Sequence, residues 1–182
     1  MTWKEFYKSR VTSATYENYF IDKYSIFLDT LDCQVGKTFL EVGCGTGLVT
    51  KLIYHPKRTF TLMDNDREML GLAKDRLNPL PISYICKDIR TPLHQHYDVI
   101  YSHGVLEHLS LAECKRIIRN QLSVSNTLVH YVPTDGYKEP SFGDENLLAK
   151  EVWDDALYPT KSITFNEFKD LLLIWEKGKD GT

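Results

Sequence analysis

The chain has 182 residues, with 22 Lys and Arg against 25 Asp and Glu, for a formal net charge of −3. That length is one domain's worth, and 42% hydrophobic with 26% charged residues excludes a disordered or fibrous chain. A slight acidic excess gives no general attraction for phosphate backbones or anionic lipid, so neither nucleic acid nor a membrane is an expected partner.

The opening, MTWKEFYKSR, is polar, which argues against a secretory leader. No apolar run approaches the ~20 residues of a membrane helix, so the expected location is the cytoplasm. Residues 1–32 read as amphipathic helix: Trp3, Phe6, Tyr7, Tyr16, Tyr19, Phe20, Tyr24, Phe27, Leu28 and Leu31 recur at spacings of three and four. Gly36 breaks that pattern. KTFLEV (37–42) is a short apolar run ending in glycines, a buried strand by composition. A helix over about 47–54 is stopped by His55-Pro56. RTFTLM (58–63) is a second strand, and Asp66 is placed to cap the helix that follows through Met69, Leu70, Ala73 and Leu77. ISYIC (82–86) and YDVIYS (97–102) are the third and fourth strands. A helix from about Leu111 presents Cys114, Ile117, Ile118 and Leu122 on one face, and TLVHYV (127–132) is the fifth strand. Strands alternating with helices imply an α/β fold with a mostly parallel sheet and right-handed crossovers.

Residues 133–162 break the alternation with Pro133, Pro140, Pro159 and several aromatics, and are too long for a simple connection, so a lid or insert is expected. Thr164-Phe-Asn-Glu167 matches a capping box ahead of the apolar run to Trp175, which predicts a terminal helix and then a tail. The expected divisions are a helical cap (1–35), a core (36–132), the lid or insert (133–162), and the terminal helix with its tail (163–182). Cys33, Cys44, Cys86 and Cys114 form no C-x-x-C pair and read as reduced thiols; His94-x-His96 has no companions, so no metal is expected.

Chemistry concentrates in Leu40-Glu-Val-Gly-Cys-Gly-Thr-Gly47, at the end of the first strand. Glycines at 43, 45 and 47 allow a tight turn and close approach of backbone to a ligand, at the sheet edge where open α/β folds bind ligands. A dinucleotide fingerprint needs glycine at 48, where Leu48 stands, and Glu41 would repel a pyrophosphate but attract a cation. A nicotinamide oxidoreductase is disfavoured on both counts. Asp64 ends the second strand and Asp88 follows the third, so each carboxylate stands at the end of a strand.

LEVGCGTG resembles the first motif of the class I S-adenosylmethionine-dependent methyltransferases nearly letter for letter. The resemblance continues in LMDNDREML, CKDIRTPL, YDVIYSHGVLEHL (97–109) and FGDENLLAKEVW (142–153), and covers about residues 37–153. It implies a Rossmann-like doubly wound sheet with helices on both faces and S-adenosylmethionine as cofactor, leaving S-adenosylhomocysteine as product. The implied cofactor-binding set is Glu41, Gly43, Cys44, Gly45, Gly47, Asp64, Asn65, Met69, Asp88, Ile89, Ser102 and His103. Within it, Asp64 takes the ribose and Asp88 the adenine. His103 is the candidate for cofactor contact or for general base. Glu107 and His108 are read as structural, His130 as a core histidine, and the N-terminal tyrosines as core or as a cover over the cofactor. The implied reaction is methyl transfer to a small-molecule acceptor met by residues 133–160. Tyr101-Ser-His-Gly104 stands where base-methylating relatives carry Asn/Asp-Pro-Pro-Tyr. The family's sheet ends in an antiparallel hairpin for which no residues are found, so the fifth strand is expected to be an edge, covered by residues 133–160 or open to a second copy or a partner chain. A shortened, non-catalytic cofactor-binding protein is therefore the alternative reading.

Overall fold

The computed structural model describes residues 5, 6, 13–141 and 144–177. Trp3, Tyr7, Phe142, Gly143 and the tail 178–182 lie outside the described residues, and with them part of the expected helical cap. From residue 13 the elements in chain order are α1 (Ala14–Lys23), α2 (Ser25–Asp32), β1 (Thr38–Val42), α3 (Leu48–Ile53), β2 (Thr59–Asp64), α4 (Arg67–Leu77), β3 (Ile82–Cys86), β4 (Tyr97–His103), a 3-10 turn (Leu106–His108), α5 (Leu111–Ser123), β5 (Ser125–Pro133), α6 (Lys150–Leu157), β6 (Lys161–Phe165) and β7 (Asp170–Glu176). The sheet order is β3-β2-β1-β4-β5-β7-β6. The first five strands run parallel, and β7 lies antiparallel to both β5 and β6.

The five predicted strands fall within two residues of the observed ones. Strand alternation divides the core in two. Phe39, Phe60, Leu62, Val99, Tyr101, Val129 and Tyr131 face α1–α4. Leu40, Val42, Met63, Ile100, Leu128 and Val132 face α5 and α6, where the buried Trp153 and Ile117 sit. Helices therefore cover both faces of a doubly wound sheet, as expected. Asp66 caps α4 by accepting from the N–H groups of Glu68 and Met69. Ser110 and Glu113 form a reciprocal capping box at the start of α5, and Glu107 and His108 lie in the 3-10 turn before it.

The C-terminal expectation is overturned. Among the described residues, 163–177 contain no helix; Lys161–Phe165 and Asp170–Glu176 form the antiparallel hairpin thought missing. Thr164 lies in β6, and Asn166, Glu167 and Phe168 take positive φ in the turn between the strands. A five-residue apolar run (LLLIW) carries no period that separates a helix from a strand buried on both faces, and β5 offers it a full ladder from Thr127–Glu176 to Pro133–Asp170. The fifth strand is thus not an edge: β7 fills the place expected for a second copy or a partner chain. Residues 133–162 carry the chain from β5 through α6, which packs beside α5, and on to β6.

Candidate functional site

Parallel register brings the carboxyl ends of β1 to β5 to one edge. β1 stops at Gly43, whose φ is +65° and where a Cβ would come within 2.5 Å of Val105 Cγ2. Only glycine lets the strand end press against the loop after β4. The next residues are tied to β2: the Cys44 N–H donates to the Met63 carbonyl at 3.1 Å, and the Gly45 N–H donates to Asp64 Oδ2 at 2.8 Å. The other Asp64 oxygen accepts from the Asp66 N–H at 2.9 Å. Asp64 therefore joins the glycine loop to the β2–α4 turn, while Asp66 does the capping. Burial pushes the Asp64 carboxyl upward, against the pull of these backbone donors.

Glu41 lies beneath the loop, 3% exposed. One carboxylate oxygen accepts from the Thr50 N–H at 3.2 Å and the Thr50 hydroxyl at 2.5 Å, with the Tyr101 hydroxyl 3.5 Å away. Burial outweighs these bonds and pushes its pKa up to about 8. Across the cleft, Asp88 accepts from the Arg90 N–H at 2.7 Å and pairs with the Arg90 guanidinium at 3.3 Å. Arg90 is held in turn by Glu113 at 2.7 Å.

Glu41, Asp64, Asp88 and Arg90 line one cleft of about 1250 Å³, together with Gly43, Cys44, Gly45, Asn65, Met69, Ile89 and His103. Two members of the sequence-derived set are not brought there. Gly47 faces inward: a Cβ would meet Leu77 and Leu62 at 2.9 and 3.0 Å, so this glycine serves the packing of α3 on β2 and α4. Ser102 alternates with His103 along β4 and points to the opposite sheet face. It is fully buried, its hydroxyl 2.7 Å from His130 Nδ1, and His130 Nε2 is 2.8 Å from Gln121 Oε1. His130 is the core histidine expected, and burial pushes its pKa down to about 3.

His103 does reach the cleft. Its ring stacks on Tyr131 at 4.2 Å and lies within 4.3 Å of Tyr24 and 4.9 Å of Phe20, ring centre to ring centre. Burial, aided by the charge of Lys23, lowers its pKa to about 3. It is neutral and a weak base, and Nε2 is buried without a hydrogen-bond partner. Glu107 also lines the cleft, 2% exposed, with Oε2 unpartnered and burial raising its pKa to about 8. Sequence reasoning passed over Lys23, Tyr131, Tyr137 and Asp170. The hydroxyls of Tyr131 and Tyr137 donate to Asp170 Oδ1 at 2.7 and 2.8 Å, and Asn166 Nδ2 donates to Oδ2 at 2.5 Å. No local pattern marks these residues, because α1, β5, its following loop and β7 meet only in the fold.

A protein-family model described as a methyltransferase domain matches residues 39–127. The malonyl-[acyl-carrier protein] O-methyltransferase of Bacillus anthracis is 33% identical over 140 residues, covering 73% of this chain and 49% of that protein. The ubiquinone biosynthesis O-methyltransferase of Coxiella burnetii is 33% identical over 89 residues, 47% of this chain and 37% of that one. The chain thus spans half the length or less of these curated relatives. Among solved structures, the N-methyltransferase NodS of Bradyrhizobium japonicum superposes with a TM-score of 0.70 at 20% identity, over 89% of this chain and 98% of that one, a likeness of fold.

Proposed function

We propose that this chain, a class I S-adenosylmethionine-dependent methyltransferase, transfers a methyl group from S-adenosylmethionine to an oxygen atom of a small acceptor. When bound, the cofactor supplies an electrophilic methyl group on a positively charged sulfur. The residues fit such a ligand. Asp64 and Asp88 lie on the cleft wall where ribose hydroxyls and an adenine amino group would find acceptors, and a buried carboxyl at Glu41 meets a cationic amino-acid end. The Gly43 turn keeps the loop free of side-chain bulk, as close contact with a ligand requires. The single observation that carries the reading is this convergence of Glu41, Asp64 and Asp88 on one cleft beside the glycine loop.

On the other side of the same cleft, Tyr16, Tyr19, Phe20 and Tyr24 from the N-terminal helices face Tyr137 from the loop after β5. This apolar wall would hold the acceptor and exclude water, so that catalysis consists chiefly of positioning two reactants. Oxygen is favoured as the acceptor atom by the names of the curated relatives. Calorimetry with S-adenosylhomocysteine, followed by turnover of methyl-labelled cofactor on a panel of acceptors, tests the reading. Binding with turnover is expected. No binding rejects the cofactor site, and binding with no turnover on any acceptor favours the non-catalytic alternative.

A further inference from the structure

Asp88 and Arg90 stand together on the cleft wall. Asp88 Oδ1 accepts from the Arg90 N–H at 2.7 Å, and Oδ2 lies 3.3 Å from the Arg90 guanidinium. The guanidinium Nε donates at 2.7 Å to Oε1 of Glu113, in the first turn of α5. Glu113 is itself fixed. Its other oxygen accepts from the Ser110 N–H at 3.0 Å and the Ser110 hydroxyl at 2.7 Å, at the start of the helix. Arg116, further along α5, donates from its guanidinium to the Arg90 carbonyl at 3.1 Å. The N-terminal part of α5 thus grips Arg90 by head group and by backbone, with Arg90 drawn against Asp88. The three side chains of this chain, Asp88, Arg90 and Glu113, are 39%, 43% and 34% exposed. Ion pairs so exposed contribute little to stability, and the consequence of this one lies in what it presents to the cleft.

Asp88 and Arg90 suit opposite purines. A carboxylate accepts from the amino group that adenine carries at position 6. An arginine free to reach a base pairs best with a 6-oxo purine, donating to O6 and N7. Here the guanidinium is committed to Glu113 and Asp88, while each Asp88 oxygen, having accepted one bond from Arg90, keeps a lone pair for another. We propose that Glu113 is a positioning residue for cofactor recognition: by holding Arg90 against Asp88 it leaves an acceptor, not a donor, facing position 6 of the purine, and so selects adenine. The proposal rests on the methyltransferase reading of the same cleft. Glu113 acts through Arg90 and Asp88 and touches no part of the ligand itself. Its two oxygens divide the work, one tying the helix start and the other the guanidinium, so the direction in which α5 begins sets where Arg90 is held.

The test is calorimetry on the whole chain with two ligands, S-adenosylhomocysteine and its 6-oxo analogue S-inosylhomocysteine. The proteins are wild type, Glu113→Gln, Arg90→Met and the double variant. Glutamine has one acceptor oxygen where glutamate has two, so it can serve Ser110 or Arg90 but not both. Thermal melts show that each variant folds; Glu113→Ala, with Ser110 left to cap α5, replaces Glu113→Gln if that variant does not. Wild type should bind the adenine ligand tighter by about tenfold or more, because the analogue exchanges a hydrogen bond to a charged group for two acceptors face to face. In Glu113→Gln the freed guanidinium should reach O6, and that preference should shrink by about fivefold or more. Arg90→Met removes the competing donor. Alone it should leave the preference close to that of wild type, and in the double variant it should restore it. An unchanged preference in Glu113→Gln overturns the proposal. So does a double variant as unselective as Glu113→Gln, since the loss then comes from a damaged helix start and not from Arg90. A wild type that binds both ligands equally also overturns it. Failure to bind either ligand sinks the methyltransferase reading instead.

Discussion

Asp64 holds two loops together through backbone N–H donors from Gly45 and Asp66, so its carboxylate shapes the site as well as offering acceptors to a ligand. Asp64→Asn keeps one acceptor oxygen but turns an amide NH2 toward one of those N–H groups. At ~1.5–3 kcal/mol for a hydrogen bond to a charged group, calorimetry should find S-adenosylhomocysteine bound at least tenfold more weakly; an unchanged affinity rejects the assignment. Glu41 gives a second residue-level expectation. Its pKa of about 8 in the free protein must fall when a cation binds beside it, because the cation favours the ionised form. Affinity for S-adenosylmethionine should therefore tighten as pH rises from 6.5 to 8.5, by up to about tenfold at one pKa unit per factor of ten. In Glu41→Gln that slope should be absent.

At the scale of elements, the two glycines near α4 do opposite things. Gly47 sits at φ +70° with Leu77 and Leu62 closing on the space a Cβ would take, whereas Gly71 lies inside α4 with nothing within 4 Å. Gly47→Ala combines strain with overpacking and should cost about 1–3 kcal/mol. Gly71→Ala should stabilise by about 0.5–1 kcal/mol through helix propensity alone. Chemical denaturation of the two variants checks the pair. The hairpin β6–β7 shows why one element escaped the sequence. Thr164-Phe-Asn-Glu167 satisfies a helix-start rule, yet the run behind it is short enough for either structure. The choice fell to β5, whose otherwise unpaired backbone groups are satisfied by β7 across the ladder from Thr127 to Pro133.

Taken over the whole molecule, buried titratable groups set how stability follows pH. Glu41 and Glu107 have folded pKa values of about 8, above the ordinary 4.5, so their stabilising effect is complete below 4.5 and lost as pH rises toward 8. His103 and His130 have folded values of about 3, below the ordinary 6.5, so theirs is present above 6.5 and lost as pH falls toward 3. Between 4.5 and 6.5 the two pairs oppose each other. The Tm of the ligand-free protein should therefore be nearly flat in that interval and fall from pH 6.5 to 8, at about 2–4 °C per kcal/mol for a chain of this size. Thermal melts of Glu41→Gln and Glu107→Gln should each show a smaller fall; a drop as steep as wild type in both would reject the assignment.

The amino-acid sequence by itself determined what depends on near neighbours. Five strands followed from short apolar runs, the α4 cap from Asp66, and the acidic and glycine positions of the cleft from their places at strand ends. Contacts between distant segments were decided only in the tertiary structure. Ser102 left the site because alternation along β4 turns it toward Gln121 and His130. Gly47 proved to serve packing because Leu62 and Leu77 converge on it from two other elements. Lys23 gained its place among three tyrosines because α1 and the loop after β5 meet across the cleft. Periodicity and turn chemistry act over a few residues, whereas burial, pairing and the pKa of a side chain depend on which remote segments the fold brings against it.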